Sequence, residues 1–464
     1  MSALIPITYS DTDGARQHDL VFVADGILGY VRDGVATNPT AALGTDDGDT
    51  VVTDDGDVIV FESAVSAGSL QGSVRGGKAY LADTVLKTFD PATGVVENVV
   101  ATAGIVPTGQ TLVATYRDRI FLAGASLEWF CSRMGAPTDW DYGAAMEDPG
   151  RAVAGQLSDA GLMGDVLTAM IPLHDQALVL ASENEMWVLR GDPATGRLEN
   201  VSTEVGVVAA NAWAVSPDGL LCFLSNDGVY LWDAGSRQAP VRFSAERVPD
   251  ELREVDTATT TVSMAYDPVE RGYHLFLTPD LDSGTHWWVD VDNRAFWPQR
   301  LPTDQQPLCA ALLGGPGLGT VVIGGQDGFV RYFLEGEEED DGQAMTSHVL
   351  VGPVRLSPDD SRNAMLVEVH GVMEGITNSG AVTWRIVGGP SAAEASEAAL
   401  ADLDSVLAGG ATSSVTGTGT WSEGRNRVQR PRSRGPWFVV WLSSTEAWSY
   451  EAVVLVARQL GRHR

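Results

Sequence analysis

The 464-residue sequence predicts an all-β protein: a β-propeller of six or seven blades, followed by a C-terminal β-sandwich-like domain with one inserted helix. Three observations lead to this fold class: a hairpin that recurs seven times, frequent Gly-containing turns, and a change in strand spacing near residue 334. Closely spaced strands need many turns, and 51 Gly and 22 Pro residues can supply them.

The recurring hairpin has a short aliphatic strand, a small residue, a polar turn and a second strand that carries Trp, Tyr or Phe. The small residues, on average 50 residues apart, are Ala24, Ala82, Ala123, Ala181, Ser225, Thr278 and Gly324. A period of about 40 to 50 residues with several short strands is typical of propeller blades, which stack because one blade cannot bury both faces of its sheet. Seven copies favour seven blades over six.

The propeller is predicted to span residues 1–334. Six carboxylates follow between Glu335 and Asp341, and such a run of like charge normally stays solvated. We therefore predict an acidic linker over residues 335–343 and a C-terminal β domain over residues 344–464, where apolar and polar residues alternate again.

One helix is predicted inside the C-terminal domain, over residues 392–407. Ser391 and Glu394 form a capping box before it, and two glycines at 409–410 end it. Such a helix can touch a neighbouring subunit or cover the sheet of its own domain. The leucines that share one face of it are Leu400, Leu403 and Leu407.

The chain is strongly acidic, with 62 acidic and 30 basic residues and a formal net charge of −32. This charge opposes binding to DNA by general phosphate neutralisation. Its distribution is uneven, because residues 1–60 hold 11 Asp and 2 Arg, whereas residues 420–464 hold 8 Arg and 3 Glu. In a ring of identical subunits, the basic end of one subunit can pair with an acidic face of the next.

No segment approaches about 20 apolar residues, and the N-terminus has neither a basic start nor a long apolar run. We therefore expect no membrane-spanning segment and no signal peptide. Cys131, Cys222 and Cys309 are isolated thiols without a CxxC pair, and we interpret them as core residues. Three unpaired cysteines suit a protein that assembles in a reducing cytoplasm.

The sequence contains no catalytic motif of the GxSxG, HExxH or P-loop type, and its seven histidines are scattered. GPGLGT at 315–320 opens a strand instead of a helix, so we interpret it as a turn. The DPATG segments at 90–94 and 192–196 also predict turns. Two DDGD tetrads at 46–49 and 54–57 do not fit a calcium loop and are interpreted as hairpin turns, with a weak cation site as the alternative. We predict no enzyme activity, no cofactor and no metal.

A dense basic cluster follows the inserted helix in RNRVQRPRSR. Its arginines are Arg425, Arg427, Arg430, Arg432 and Arg434. We predict an exposed loop that is a candidate subunit interface, because guanidinium groups bind carboxylates in a bidentate manner. A solvated loop without a partner and a local contact with DNA stay open as alternatives.

One stretch is more distinctive than the repeats. The segment EWFCSRMGAPTDWDYG is followed by the hairpins LVLASENEMWVL and CFLSNDGVYLW, and its marked residues are Trp129, Gly135, Pro137, Asp139, Trp140 and Asp141. This order resembles the tail proteins of tailed bacteriophages, especially the packaged-DNA stabilisation or tail nozzle family of short-tailed phages. The resemblance covers roughly residues 70–340 and the closing strands of the chain.

The resemblance implies a structural virion protein, and the marked residues would then be structural. Members of that family form rings, commonly hexamers, that close and extend the DNA-exit channel below the portal and adaptor. For this chain it implies assembly in the host cytoplasm, a place in the virion tail, and contacts with itself and with portal, adaptor and other tail proteins. Double-stranded DNA would pass transiently without specific binding.

The main alternative is a virion adhesin whose propeller binds a host surface glycan, because Trp287, Trp288 and Trp297 can stack on sugars. Their strand register also fits core or blade-interface positions. A third interpretation, a secreted or cytoplasmic propeller enzyme, lacks a recognisable site.

Overall fold

The computed structural model describes residues 3–10, 16–24, 27–32, 35–37, 40–42, 60–62, 70–83, 85–143, 147–155, 163–173, 175–233, 235, 238–243, 250–280, 284–314, 319–333, 339–340, 343–357, 362–374, 380–427 and 429–462. The chain divides into two compact units, Met1–Phe333 and Leu334–Arg464. The sequence predicts the end of the propeller at residue 334, one residue further on.

The first unit contains seven antiparallel sheets of three or four strands in its described residues, one for each recurring hairpin. The strands up to the third sheet are β1 (Ala3–Ser10), β2 (Arg16–Ala24), β3 (Ile27–Arg32) and β4 (Val35–Thr37) in blade 1; the separate pair β5 (Thr40–Ala42) and β6 (Val60–Glu62); β7 (Gln71–Arg75), β8 (Lys78–Ala82), β9 (Leu86–Asp90) and β10 (Val95–Asn98) in blade 2; and β11 (Ala103–Gly104), β12 (Leu112–Tyr116), β13 (Arg119–Ala123), β14 (Phe130–Cys131), β15 (Asp139–Trp140) and β16 (Val153–Ala154). Blade 3 consists of β12, β13, β14 and β16, while β11 and β15 pair in parallel beside it.

The remaining four blades repeat this arrangement. Their strands are β17 (Ala169–Leu173), β18 (Ala177–Ala181), β19 (Met186–Arg190) and β20 (Arg197–Ser202) in blade 4; β21 (Trp213–Val215), β22 (Leu220–Ser225), β23 (Gly228–Asp233) and β24 (Val241–Arg242) in blade 5; β25 (Thr260–Asp267), β26 (Gly272–Pro279), β27 (His286–Asp290) and β28 (Ala295–Gln299) in blade 6; and β29 (Pro307–Leu313), β30 (Thr320–Gly325) and β31 (Val330–Tyr332) in blade 7. Short 3-10 helices span Asp250–Leu252 and Thr303–Gln305.

Each predicted hairpin forms the second and third strands of a blade, which confirms the propeller and favours the count of seven. The second strands β13 and β18 are buried at every position, because neighbouring blades cover both faces of the sheet. Ala123 and Ala181, which end these two strands, have no exposed surface. Burial of this kind explains why the repeat takes a small residue here.

Blade 7 packs against blade 1 and closes the ring. Leu4 and Leu20 of blade 1 share an apolar cluster with Cys309 and Val322 of blade 7. Within the described residues, blade 7 has three strands, and none of them pairs with a strand of blade 1. Side-chain packing therefore holds the ring together at this point.

The innermost strands surround a central cavity of about 360 Å³. Nε2 of Gln71 donates to the carbonyl oxygen of Ala210 at 2.8 Å and to Oδ1 of Asn211 at 2.7 Å. The carbonyl of Asn211 accepts from the amide of Met264 at 3.0 Å, so this contact joins blades 2, 5 and 6. A cavity of this volume is the size of a small-molecule cleft, much too small for duplex DNA.

The second unit contains two facing sheets and one helix. Its elements are β32 (Glu339–Asp340), β33 (Gln343–Ala344), β34 (Ser347–Arg355), β35 (Arg362–Met373), β36 (Val382–Gly389), α1 (Ala392–Leu407), β37 (Val415–Trp421), β38 (Gly424–Arg425), β39 (Arg434–Gly435), β40 (Trp437–Ser444) and β41 (Tyr450–Arg462). One sheet has the order β34-β40-β36-β37; in the other, β35 pairs with β41, β38 and β39. Residues of both sheets, including Leu366, Val369, Trp384 and Val440, form one core, which confirms the sandwich-like domain.

The acidic run is only partly described. Glu339–Asp340 pairs antiparallel with Gln343–Ala344 as a short hairpin, so this part of the expected linker has regular structure. Residues 335–338 and 341–342 lie outside the described residues.

Helix α1 has the predicted bounds, and the amide of Glu394 donates to Oγ of Ser391 at 3.1 Å, as a capping box requires. Of the three leucines that share one face of the helix, Leu400 and Leu407 are exposed. Ala395 and Ala399 instead pack on the four-stranded sheet, since small side chains let the helix approach closely.

Candidate functional site

The signature segment, residues 129–141, forms a folded loop on blade 3. Trp129 and Trp140 are fully buried. Trp129 stacks on Phe121 with ring centroids 5.8 Å apart, and Nε1 of Trp140 donates to the carbonyl oxygen of Pro137 at 3.0 Å. These aromatic residues fill space between strands and are closed to a ligand.

The other signature residues shape the backbone. Gly135 has φ of +76°, a conformation that favours glycine, and its amide donates to the carbonyl of Asp118 at 3.0 Å. Oδ1 of Asp139 accepts from the amide of Asp141 at 3.0 Å, and Oδ1 of Asp141 accepts from the amide of Gly143 at 2.9 Å. Both aspartates therefore make turn contacts, which is a structural role.

A buried arginine that the sequence analysis missed ties this loop to the next blade. The guanidinium of Arg119, with no exposed surface, donates to the carbonyl oxygens of Ser132 at 3.1 Å, Pro149 at 2.7 Å and Arg151. It also lies 3.4 Å from the carboxylate of Asp192, which begins the second DPATG turn. No motif marks Arg119, and only the repeated DPATG pointed to this turn.

The arginine cluster is exposed, as predicted, but the backbone of its segment is partly paired with β35. Residues 424–427 and 429–435, here called the arginine edge, lie antiparallel to β35, with pairing at Gly424–Arg425, Gln429 and Arg434–Gly435. The amide and carbonyl of Val369 both bond to Gln429, and the amide of Leu366 donates to the carbonyl of Ser433 at 2.8 Å. Pro431 has no N–H to donate, which explains an interrupted ladder.

All five arginines of the edge are exposed. Among the described residues, their one ion pair joins Nη2 of Arg430 to Oε1 of Glu368 at 3.7 Å, with the arginine side chain 71% exposed. Such a pair contributes at most about 1 kcal/mol. Within the described residues, the guanidinium groups are therefore largely solvent-exposed.

Other groups with catalytic or ligating potential are dispersed. Within the described part of the chain, no three His, Cys, Asp or Glu side chains form a metal-binding group. Both DDGD tetrads lie outside the described residues, and GPGLGT is described only at its end, where Thr320 begins β30. Burial raises the pKa of the Cys131 and Cys309 thiols to about 12 and also raises that of Cys222, so these thiols stay protonated.

His286 is a buried link between blades 6 and 7. Nε2 of Gln306 donates to the carbonyls of Leu301 at 2.7 Å and Pro302 at 3.1 Å, so its Oε1 accepts from Nε2 of His286 at 2.8 Å. Burial lowers the pKa of His286 to about 4. The imidazole is therefore neutral and structural.

The three tryptophans considered for glycan stacking do not converge. Trp287 is buried against Phe296, and Trp288 contacts His274 with ring centroids 4.8 Å apart. Trp297 is exposed on β28, the outermost strand of blade 6.

The described residues include no helix long and apolar enough to cross a membrane. No family model matches the chain, and no curated protein matches it.

Solved structures with a similar fold are propellers of low sequence identity. They include a chain of "Crystal Structure of Mitotic Checkpoint Complex" (13% identity, 71% of this chain and 89% of that chain, TM-score 0.40). A second is "Crystal structure of WD40 beta propeller domain of Doa1" (13%, 74% and 98%, TM-score 0.37), and a third is "YCF48 bound to D1 peptide" (12%, 71% and 93%, TM-score 0.41).

Proposed function

We propose that this chain is a structural virion protein, a ring-forming subunit of the tail nozzle or tail tube that closes and extends the DNA-exit channel below the portal and adaptor. The ring is a hexamer in this proposal, and the subunit has no enzymatic role. Its partners are further copies of itself and the portal, adaptor and other tail proteins, and it is assembled in the host cytoplasm.

The order of the signature motifs carries the proposal. The signature segment belongs to blade 3, and the two hairpins that follow it in the resemblance are β18–β19 of blade 4 and β22–β23 of blade 5. Arg119 links the first of these blades to the second through Asp192. The motifs that resemble the nozzle family thus form one continuous part of the propeller.

The distribution of charge supports a conduit role. Residues 1–333 hold 45 acidic and 19 basic side chains, a formal charge of −26, whereas residues 344–464 hold 11 of each. An acidic propeller repels DNA and lets it pass without adhering. Because the cavity of the propeller is much too small for a duplex, the channel in this proposal lies between subunits of the ring.

The alternative, a glycan-binding adhesin, needs aromatic side chains gathered at one exposed site. Trp287 and Trp288 pack within blade 6, so Trp297 is the one exposed member of the trio. We therefore favour the nozzle.

The proposal is tested by the position of the gene and the composition of the particle. A neighbouring portal or adaptor gene, and this chain in stoichiometric amounts in purified virions, are the expected results. A neighbouring lyase or glycan operon, or absence from virions whose other tail proteins are detected, contradicts the proposal.

A further inference from the structure

The two sheets of the second unit are covered differently. Helix α1 lies on the outer face of the four-stranded sheet, where Ala395 and Ala399 pack against Val387 and Val439. The other sheet, which β35, β41 and the arginine edge form, has exposed side chains on its outer face. An uncovered sheet face normally carries polar side chains.

This outer face carries apolar side chains instead. On β41, Val453 and Leu455 point into the core, whereas Val454 and Val456 point outward and are 38% and 39% exposed. Val456 is paired with Glu368, which in turn contacts Arg430, so an apolar stripe lies beside the arginine edge. We call this face, including the edge, the basic sheet face.

The propeller carries an exposed apolar surface with carboxylates near it. Val100 and Ile105 are 77% and 81% exposed, the highest values among its large apolar residues. They belong to a ledge, residues 97–106, that is held firmly by the β11–β15 pairing and by a 2.8 Å bond from the amide of Thr102 to the carbonyl of Thr138. Its first residue, Glu97, is exposed, and so is Asp141, which follows β15 beside the ledge.

We propose that the basic sheet face of one copy of this chain binds the acidic ledge of a second copy. Each surface combines two exposed aliphatic side chains with charged neighbours, and the charges are opposite, so apolar burial and ion pairing act together. Because the two surfaces differ, the contact is head-to-tail, and a repeated head-to-tail contact closes into a ring when its rotation allows.

This contact would join the subunits of the ring in the proposed function, and its biological role rests on that proposal. The test uses the purified full-length chain, so it does not depend on any virion. Self-association is measured by sedimentation velocity for the wild type, for Val454→Glu with Val456→Glu, and for Val100→Glu with Ile105→Glu. Val241→Glu with Val269→Glu changes exposed valines outside both surfaces and serves as the matched control.

Concentration-dependent oligomers are expected for the wild type and the control, and at least tenfold weaker self-association for each surface variant. Mixing the two surface variants should give a 1:1 heterodimer and nothing larger, because one intact copy of each surface remains. The same pairs changed to threonine keep a β-branched side chain in the strand and test the surfaces with less risk to folding.

A monomeric wild type overturns the contact, and so does a surface variant that assembles like the wild type. Folded variants that fail to pair when mixed overturn it as well. A chain that self-associates in this way but is absent from virions keeps the contact and loses the proposed function. A virion protein that stays monomeric when purified keeps the proposed function and loses the contact.

Discussion

The substitution Arg119→Met tests whether one buried guanidinium joins the signature loop to blade 4. Methionine is unbranched and keeps most of the volume of the side chain, but it is shorter and donates no hydrogen bond. It leaves the carbonyls of Ser132, Pro149 and Arg151 without this donor, and the carboxylate of Asp192 without its cation.

The expected cost follows from these contacts. A hydrogen bond to a charged group contributes about 1.5–3 kcal/mol, and removing one partner of a buried ion pair costs about 3–5 kcal/mol. The contacts share one side chain and are not additive, so we expect a loss of about 3–5 kcal/mol in the free energy of unfolding. With an m-value of about 3 kcal/mol/M, the urea midpoint falls by roughly 1–1.7 M.

The two units can unfold separately, so the assay should report on blade 3 alone. Hydrogen exchange of peptides from residues 119–154, measured at increasing urea, gives that local midpoint. Arg190→Met is the matched control, because Arg190 contacts Glu199 at 3.2 Å on a partly exposed surface and should cost less than about 1 kcal/mol. Equal midpoints for the two variants would refute the structural role of Arg119.

Four further predictions concern pH, thiols, DNA and assembly. The pKa of His286 is about 4 in the folded chain and about 6.5 in the unfolded chain, so the free energy of unfolding falls as pH drops through this window, by about 1–1.5 kcal/mol at pH 5.5. The urea midpoints at pH 7.5 and 5.5 should therefore differ, and His286→Gln should remove this part of their difference. An unchanged difference in the variant contradicts the assignment. The three buried thiols should react with a thiol reagent only on unfolding, so rapid labelling of the native chain counts against their burial. Duplex DNA should bind weakly even at low salt, as fluorescence anisotropy can measure, and tight, salt-sensitive binding argues for a DNA contact at the arginine edge. Replacing Arg427, Arg430 and Arg432 together with Ser should leave the monomer folded by circular dichroism but reduce its incorporation into particles; normal incorporation would show that the edge is merely solvated.

Much of the fold could be predicted because its signals are local. Hairpins such as the one that begins at Tyr80 carry their strand and turn residues within about a dozen positions. The number of copies of this hairpin then indicates the number of blades. The bounds of α1 followed from Ser391 and Glu394, which lie three residues apart and contact each other directly.

Other features depend on partners distant in sequence. Arg119 contacts Asp192, which lies 73 positions further along the chain, and nothing near Arg119 in the sequence signals that contact. The sequence left the packing partner of α1 open, because its leucines share one face, whereas the sheet contacts the smaller Ala395 and Ala399. The arginine edge was expected as a loop because its pairing with β35 involves residues about 60 positions away.

The measurement that tests the central claim most directly is a particle reconstruction at a resolution that identifies this chain. The account predicts a closed ring of copies on the tail axis, a DNA-wide channel between subunits, and the arginine edge against carboxylates of a neighbouring subunit. A chain at the particle periphery with its propeller facing outward, or a ring in which these arginines face only solvent, would contradict it.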